Sequence, residues 1–257
     1  MDLGISGKRA LVCASSKGLG LGCAEKLAEA GVNLVMNARG AEALEASATR
    51  IREEYGVDVV TVAADVATEQ GRAAVLAAAE GGDILVNNAG VWGASVADDD
   101  LDKSIEDYEQ IVGTNLKGEY LFGRAVIPIM IEQGKGGEIV NIATDHMVTC
   151  GTPYFCCPKL ETCPWGDSPR PTGGGDAMDL YDASKGGLNG LLYGWAKALA
   201  PHSIRVNAFC MGATDSHMLR GFHNFEPSDE EVASWMRAED NAQAMIDMLQ
   251  EGPFGRN

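Results

Sequence analysis

The feature that most constrains the fold is a regular alternation of short apolar runs with longer segments of helical periodicity. The apolar runs predict strands at residues 9–14, 33–37, 57–62, 84–87, 138–142 and 204–208. The intervening patterns predict helices at about 20–30, 41–55, 68–79, 102–133, 181–200 and 228–250. Strands that alternate with helices of this length form a parallel sheet covered on both faces. Because crossovers are right-handed, the simplest topology is a doubly wound, Rossmann-type α/β fold.

The length of 257 residues fits one large domain, since domains average about 150 residues as a soft guide. No linker or internal repeat divides the chain, so we expect a single domain over residues 1–257. Residues 150–175 interrupt the alternation, because they hold five of the nine prolines and four of the seven cysteines. A stretch of this length without periodicity usually forms a functional lid or is locally disordered.

The charge excludes several classes of partner. The 37 acidic and 20 basic residues give a net charge of -17, which repels nucleic acid and anionic membranes. No apolar stretch approaches the roughly 18 residues of a membrane helix. The start of the chain lacks the basic and apolar regions of a signal peptide. With no export signal, the cysteines are expected to be reduced thiols, so we expect a cytoplasmic protein without nucleic-acid or membrane partners.

A glycine-containing turn directly follows the first predicted strand and opens the first predicted helix. Glycines let the backbone approach a pyrophosphate, and a helix N-terminus supplies unpaired N–H groups and a positive dipole end. A plain tight turn is the alternative, but the position between strand and helix favours a dinucleotide site. The expected contacts are Ser15, Ser16, Lys17, Gly18, Leu19 and Gly20.

The end of the second predicted strand favours NADP(H) over NAD(H). An acidic residue there would bind the ribose hydroxyls of NAD and repel a 2′-phosphate. This chain has Asn37-Ala38-Arg39 instead. Arg39 can bind a phosphate with two N–H groups, and Lys17 is expected near the same ribose. The alternative is that both are ordinary solvated charges.

Four motifs in this order resemble the short-chain dehydrogenase/reductase family. They are the glycine turn, Asp65 after the third strand, Asn87-Asn88-Ala89-Gly90 after the fourth, and Tyr181-Asp182-Ala183-Ser184-Lys185 on a helix. The match runs from Lys8 to about Met218 and is similar to NADP(H)-type ketone/alcohol oxidoreductases such as the 3-oxoacyl-carrier-protein reductases. The resemblance implies further cofactor contacts at Asp65, Val66, Asn88, Ala89 and Gly90.

The resemblance also implies the catalytic residues. Tyr181 and Lys185 are four residues apart, so they share one helix face. A tyrosine hydroxyl has a pKa near 10, which a neighbouring ammonium and a positive nicotinamide ring lower. In the family, the tyrosine is the general acid/base and the lysine also holds the nicotinamide ribose. Thr144 occupies the position of the family's serine and keeps its hydroxyl donor. Asn115 matches an asparagine thought to hold a water of a proton relay.

Two short motifs depart from the family pattern. Ala14 stands where the first glycine of the turn is expected, and its methyl fits only if φ stays below zero. After the sixth strand the family's Pro-Gly is Met211-Gly212, so the glycine is kept and the proline is lost. The contact to the nicotinamide carboxamide is then expected from Thr214 or Ser216, next to Gly212.

A longer departure lies between Thr144 and Tyr181, where the family has a much shorter connection. We interpret residues of about 146–176 as an inserted loop at the mouth of the active site. Its side chains are expected either to line a substrate pocket or to form a small satellite cluster: Tyr154, Phe155, Leu160 and Trp165. The spacing of its cysteines does not match paired zinc ligands, so we expect free thiols and no metal: Cys150, Cys156, Cys157 and Cys163, with His146 nearby.

The end of the chain differs as well. A capping box, Ser228 with Glu231, predicts the start of the last helix, which continues to about Gln250. No seventh strand follows, so either the chain is truncated or the sheet edge is completed in another way.

The residues together predict an enzyme that interconverts a ketone and a secondary alcohol by hydride transfer to or from NADP(H). The expected partner is a small carbonyl or alcohol substrate. One alternative is a non-catalytic dinucleotide-binding regulator with the same fold, and another is a different reaction such as dehydration or dehalogenation. The resemblance further implies a homodimer or homotetramer formed through the long helices, although a long insertion before the tyrosine blocks this packing in some monomeric carbonyl reductases.

Overall fold

The computed structural model describes residues 4–79, 81–145 and 178–250. Within these residues one sheet of six strands forms the centre of the molecule. Its strand order is β3-β2-β1-β4-β5-β6, and every neighbouring pair is parallel. The strands are β1 (Arg9–Val12), β2 (Asn33–Ala38), β3 (Val59–Ala63), β4 (Ile84–Asn87), β5 (Gly137–Thr144) and β6 (Ile204–Met211). The predicted doubly wound Rossmann-type fold is confirmed.

Helices cover both faces of the sheet. They are α1 (Gly18–Glu29), α2 (Ala41–Tyr55), α3 (Glu69–Ala79), α4 (Leu101–Val112), α5 (Glu119–Gln133), α6 (Asp179–Leu199), α7 (His217–Phe222), α8 (Asp229–Ser234) and α9 (Ala238–Gln250). A π-helical segment, Gly113–Gly118, joins α4 to α5 without a break. None of the described helices is long and apolar enough to cross a bilayer.

The two faces of the sheet bury separate apolar cores, because side chains alternate along each strand. Ala10 and Val12 of β1 belong to a core shared with α1, α2 and α9. Leu11 lies in the opposite core, together with residues of α3, α5 and α6. The second core lies directly beneath the helices that carry the predicted catalytic residues. Its packing therefore sets where those helices sit on the sheet.

The predicted last helix is wrong in one respect, since it is interrupted between α8 and α9. The capping box is confirmed: the Ser228 hydroxyl accepts a hydrogen bond from the Glu231 amide. Trp235 then adopts an extended conformation, with φ -83° and ψ 150°. The amide of Met236 donates to the Ala213 carbonyl at 2.8 Å, and its carbonyl accepts from the Asp215 amide at 2.9 Å. The chain leaves the helix here because it pairs with the loop that follows β6.

No seventh strand occurs in the part of the chain that the structure describes, and β6 forms one edge of the sheet. The last helix, α9, packs closely on α1: a β-carbon at Gly22 would lie 3.2 Å from the Ala238 carbonyl oxygen. The inserted loop predicted at residues 146–176 lies outside the described residues. The assignment of a single domain with this insertion therefore stays a prediction.

Candidate active site

The glycine turn brings the N-terminus of α1 against the end of β1. A β-carbon at Gly20 would lie 2.3 Å from the Ala14 carbonyl oxygen and 2.5 Å from Asn88 Nδ2, so only glycine fits. Gly18 has a φ of 59°, which glycine adopts without strain. The N-terminus of α1 therefore opens directly onto the carboxyl end of the sheet. Its unpaired N–H groups and positive dipole end suit a phosphate group.

Ala14 contradicts the expectation that its φ stays below zero. Its φ is 51°, in the left-handed region where a β-carbon is strained by about 1–2 kcal/mol. The Asn88 side-chain amide donates to the carbonyls of Cys13 and Ala14, at 3.1 and 3.4 Å. Asn88 therefore ties the loop after β4 to the glycine turn and helps hold Ala14 in this conformation.

The Ser15 side chain forms hydrogen bonds within the fold, and its predicted contact with a cofactor stays a prediction. Its hydroxyl is fully buried and accepts a hydrogen bond from the Asn37 amide at 3.1 Å. Asn37 in turn donates from Nδ2 to the carbonyls of Val62 and Ala64, each at 2.9 Å. These bonds join the carboxyl ends of β1, β2 and β3. Because its hydroxyl is used inside the fold, Ser15 supports the turn from within.

An open cleft of about 420 Å³ lies along these strand ends. Seven of the predicted cofactor contacts line it: Ser16, Lys17, Arg39, Asp65, Val66, Ala89 and Gly90. Leu19 is instead buried in α1. Lys17 and Arg39 are exposed on the cleft, and neither forms an ion pair with a carboxylate among the described residues. The structure thus brings two cations to one cleft of an acidic protein.

Asn115 lies in the π-helical segment between α4 and α5 and is fully buried. Its Oδ1 accepts from the Val91 amide at 2.8 Å, and its Nδ2 donates to the Val91 carbonyl at 2.9 Å. The same Nδ2 donates to Ser184 Oγ at 3.2 Å. The Asn115 side chain therefore joins the loop after β4 to α6. Local π-helical turns of this kind are frequent at functional sites.

Lys185 is buried on α6, one residue after Ser184. Its ammonium donates to the carbonyl oxygen of Ile142 in β5 at 2.7 Å. A β-carbon at Gly90 would lie 3.6 Å from Asn115 Oδ1 and 3.8 Å from Lys185 Nζ. Gly90, Asn115 and Lys185 therefore converge at the carboxyl ends of β4 and β5.

A second pocket of about 290 Å³ lies beside this point, and both Thr144 and Tyr181 line it. The Thr144 hydroxyl donates to Asp145 Oδ1 at 3.3 Å. Phe222 forms part of the wall and packs on Trp92, with ring centroids 3.8 Å apart. The other apolar lining residues are Ala143, Met178, Met211, Ala213, Met218 and Leu219. The pocket thus places the hydroxyls of Thr144 and Tyr181 beside a wall rich in methionine.

The protein environment raises the pKa of Tyr181 to about 12, mainly because the side chain is buried. The carboxylates of Asp182, Glu119 and Asp145 add to this effect. The direction is opposite to the lowering expected from Lys185 and a nicotinamide ring. The Tyr181 hydroxyl is therefore held in its protonated form, which can donate a hydrogen bond or a proton.

Three predicted contacts follow β6 and line the same pocket: Gly212, Thr214 and Ser216. The Thr214 hydroxyl donates to the Gly212 carbonyl at 2.9 Å and accepts from Asn241 Nδ2 at 2.7 Å. Ser216 Oγ accepts from the Leu219 amide at 3.1 Å and so caps α7. A β-carbon at Gly18 would lie 3.8 Å from the β-carbon of Ser216. Ser216 therefore lies close to the glycine turn, while Thr214 holds its own loop together.

Sequence reasoning missed two acidic residues at this site. Asp145 directly follows Thr144 and lines the same pocket, so its position in the sequence could have indicated it. Glu119 is buried one helical turn after Asn115 and interacts electrostatically with Lys185 and Tyr181. Spacing alone could have placed it there, but charged residues are rarely buried unless they are paired. The predicted cysteine cluster and His146 lie outside the described residues.

The fold and the site define a class of protein. A cleft at the carboxyl end of a parallel sheet, opened by a glycine turn and a helix N-terminus, is typical of dinucleotide-binding α/β enzymes. A family model described as short chain dehydrogenase matches residues 8–154, and one described as enoyl-(acyl carrier protein) reductase matches residues 170–246. The chain therefore belongs to the short-chain dehydrogenase/reductase family, whose members are oxidoreductases that bind a nicotinamide dinucleotide and act on alcohol or ketone groups of small molecules.

Individual relatives agree with this assignment. The chain is 29% identical over 236 residues to gluconate 5-dehydrogenase of Gluconobacter oxydans, covering 90% of this chain and 79% of the relative. It is 30% identical over 222 residues to 3-oxoacyl-[acyl-carrier-protein] reductase of Aquifex aeolicus, covering 85% and 78%. The structure is similar to that of L-sorbose reductase from Gluconobacter frateurii, solved with NADPH and L-sorbose, with a TM-score of 0.77 and 25% identity over 98% and 92% of the two chains.

The close approach at Gly20 yields a prediction for dinucleotide binding. A Gly20→Ala substitution places a methyl against the Ala14 carbonyl and Asn88, so the turn must open. We expect the Kd for NADPH to rise at least about tenfold, which is a loss of about 1.4 kcal/mol. Quenching of protein fluorescence by NADPH measures the Kd. The control is Gly194→Ala on α6, where a β-carbon meets no atom within 4 Å and binding should not change. Unchanged binding in the Gly20 variant would show that the turn does not hold the cofactor.

Proposed function

We propose that this protein is an NADP(H)-dependent oxidoreductase that interconverts a ketone and a secondary alcohol. The observation that carries the proposal is the convergence of two hydroxyl groups with a buried ammonium. Thr144 and Tyr181 line one pocket, and Lys185 lies on the same helix as Tyr181, one turn further on. This combination suits a substrate oxygen that must be held while a proton is transferred.

The cleft fits NADP(H) in three respects. The N-terminus of α1 suits the pyrophosphate, and Gly20 lets that N-terminus pack closely against the Ala14 carbonyl and Asn88. Lys17 and Arg39 would hold the 2′-phosphate that distinguishes NADP(H) from NAD(H). The remaining contacts would be Asp65, Val66, Asn88, Ala89 and Gly90 at the strand ends, Lys185 at the nicotinamide ribose, and Gly212 with Ser216 or Thr214 at the carboxamide. When bound, the nicotinamide supplies or accepts the hydride.

The chain's own residues supply position and proton transfer. The hydroxyls of Thr144 and Tyr181 hold the substrate oxygen by hydrogen bonds. Because burial raises the pKa of Tyr181 to about 12, this hydroxyl is protonated at neutral pH and acts as the acid when a ketone is reduced. Lys185 stabilises the phenolate left after the proton is given up. Asn115 keeps α6 in place against the loop after β4, through Ser184 and Val91.

The alternative of a non-catalytic regulator is not favoured. The relatives of this chain include a gluconate 5-dehydrogenase and a 3-oxoacyl-[acyl-carrier-protein] reductase, which are enzymes. A dinucleotide-binding regulator would have no need of the two hydroxyl groups, Thr144 and Tyr181, that face one pocket beside the buried Lys185.

We propose a second copy of this chain as the partner at the outer face of α4 and α6. Leu101, Ile105 and Tyr108 recur on one face of α4 and are 74%, 54% and 53% exposed. Tyr193 on α6 is 68% exposed, and α4 lies against α6. An apolar stripe that runs along a helix is typical of a surface covered in an assembly. The arrangement supports a homodimer, or a homotetramer built from two dimers.

We also propose that the protein works in the cytoplasm. Cys13, Cys23 and Cys210 are free thiols in the described part of the chain, and the first two are buried. Thiols of this kind persist in a reducing compartment.

The catalytic proposal is tested with Tyr181→Phe, which removes only the hydroxyl. The assay follows NADPH oxidation with L-sorbose and with an acetoacetyl thioester, and NADP+ reduction with D-gluconate. We expect the wild type to turn over at least one of these compounds and the variant to lose about 10²- to 10⁴-fold in rate, because the proton donor is lost. Tyr193→Phe on the exposed face of the same helix is the control and should retain full activity. Equal rates for Tyr181→Phe and wild type would exclude Tyr181 as the acid.

The choice of cofactor is tested with Arg39→Ser. The loss of a bidentate phosphate contact should weaken NADPH binding by about tenfold or more and leave NADH binding nearly unchanged. Isothermal titration calorimetry with both cofactors measures the ratio. Arg124→Ser, an exposed position on α5, changes the net charge equally and should not alter either Kd. Equal weakening for both cofactors, or no weakening, would contradict a phosphate contact at Arg39.

The assembly is tested by light scattering after size exclusion. The wild type is expected to have two or four times the monomer mass. Ile105→Asp places a charge in the apolar stripe and should shift the mass to that of a monomer. Val60→Asp on β3 introduces the same charge at another exposed apolar side chain and should leave the assembly intact. A monomeric wild type would rule out this interface.

A further inference from the structure

Glu119 is a buried acid for which the proposed reaction has no use. It is the first residue of α5, one helical turn after Asn115, and its side chain is only 2% exposed. In the described part of the chain, neither of its carboxylate oxygens has a hydrogen-bond partner. Burying an ionised carboxylate without a partner is strongly unfavourable, so such a residue needs an explanation.

The sheet beneath α5 carries a polar layer at its carboxyl end. Asn87 of β4 pairs in register with Asn141 of β5, and Asn87 Nδ2 donates to Asn141 Oδ1 at 2.9 Å. Leu85 and Ile139 belong to the core under α5 and α6. Asn87 and Asn141 lie two residues further along the same strands, so their side chains face the same side of the sheet. Among the described atoms, Asn87 Oδ1 and Asn141 Nδ2 remain unpaired. The apolar core under α5 and α6 therefore ends in a buried pair of asparagines at the carboxyl ends of β4 and β5.

Electrostatic interactions connect Glu119 to the catalytic residues. Burial raises the pKa of Glu119 to about 8, and the ammonium of Lys185 opposes this rise. In the other direction, the carboxylate of Glu119 contributes to the raised pKa of Tyr181. It also contributes to the raised pKa of the Cys13 thiol at the end of β1, where burial is the main cause. Glu119 therefore acts on the lysine, on the tyrosine and on the strand end beside the glycine turn.

Other charged groups near α5 are engaged elsewhere or exposed. On α3, Arg72 donates to the carbonyls of Val66 and Ala67, and Glu69 is exposed. Lys117 in the π-helical segment and Arg124 on α5 are both exposed. From α6, Lys185 and Tyr181 are the groups that interact with Glu119, and β1 contributes Cys13.

We propose that Glu119 is a positioning residue of the hydride-transfer site, whose charge state determines how strongly Lys185 stabilises the phenolate of Tyr181. The inference rests on the proposed function, since it assigns a regulator to the same site. When Glu119 is protonated, it no longer opposes the positive charge of Lys185 at Tyr181, although the carboxylates of Asp182 and Asp145 still do. When it is ionised, its negative charge offsets part of that of Lys185 and makes Tyr181 hold its proton more tightly.

The protonation state of Glu119 determines which direction of the reaction it favours. Below about pH 8 Glu119 is protonated, and above that value it is ionised. Ketone reduction needs a protonated Tyr181, whereas alcohol oxidation needs Tyr181 to accept a proton. As the pH rises and Glu119 ionises, its charge favours ketone reduction and disfavours alcohol oxidation. This effect opposes the ordinary increase in the rate of oxidation at high pH. The acid thus extends the pH range over which the enzyme reduces its substrate.

The kinetic test is Glu119→Gln, which keeps the size of the side chain and removes the charge. The probes are D-gluconate with NADP+ for oxidation and L-sorbose or an acetoacetyl thioester with NADPH for reduction, each from pH 6 to 10. We expect the pH profile of oxidation to shift about one unit toward lower pH, because Tyr181 loses a neighbouring negative charge. Reduction should decline at a correspondingly lower pH. Glu132→Gln, an exposed acid on the same helix, is the matched control and should follow the wild type.

Two measurements on the protein itself do not depend on turnover. Carbon-13 NMR of glutamate labelled at the side-chain carboxyl should show one resonance that titrates near pH 8 and is absent in Glu119→Gln.

The second measurement is thermal stability. The folded state raises the pKa of Glu119 above its unfolded value, so the contribution of Glu119 to stability is lost as the pH rises from about 4.5 to about 8. The melting temperature of Glu119→Gln relative to wild type should therefore increase between pH 5 and pH 8.

The outcomes separate the inference from the proposed function. A carboxyl that titrates near pH 8, together with a shifted pH profile, supports a positioning role. An active wild type whose profile coincides with that of Glu119→Gln overturns the inference alone, and so does a Glu119 resonance that titrates in the ordinary range of a glutamate. A wild type that is inactive on every probe in both directions overturns the proposed function and this inference with it.

Discussion

The reversal of strand order beside β1 is the constraint on which the rest of the structure depends. The chain places β2 and β3 on one side of β1 and β4 to β6 on the other, so the connections after β1 and β4 leave in opposite directions. A crevice opens at the carboxyl ends of the two strands, as it does at the switch point of open α/β sheets. The glycine turn follows β1, and the loop with Asn88 and Gly90 follows β4. Every element of the site is positioned relative to this crevice.

Buried and half-buried polar side chains then hold the loops around the crevice. Asn88 joins the loop after β4 to the glycine turn, Asn115 joins it to α6, and Ser15 with Asn37 joins the ends of β1 and β2. Buried polar groups of this kind are costly unless they are bonded, and here most of their hydrogen bonds are to backbone groups. They restrict loops that an apolar core cannot hold, since loops expose N–H and C=O groups that need partners. Glu119 differs from them, because neither of its oxygens has such a partner among the described residues.

Comparison of sequence and structure shows which signals are local. The strand β4 and the helix α2 have the predicted bounds, since apolar periodicity marks them directly. The interruption between α8 and α9 could not be predicted, because it arises where Met236 pairs with the distant loop after β6. The positive φ of Ala14 was also missed, although the structure pairs the Ala14 carbonyl with Asn88, which lies 74 residues further along the chain. Local periodicity carries no information about either contact.

The sequence by itself determined the doubly wound fold, the glycine turn, and the placement of Tyr181 and Lys185 on one helix face. These depend on periods of two and 3.6 residues and on the space around a glycine, which are properties of short segments. Only the tertiary structure decided that Ser15 and Thr214 bond within the fold, that the pKa of Tyr181 is raised, and that Glu119 is buried. Burial and the charges of distant segments set proton affinity, and both arise only when the helices have packed on the sheet.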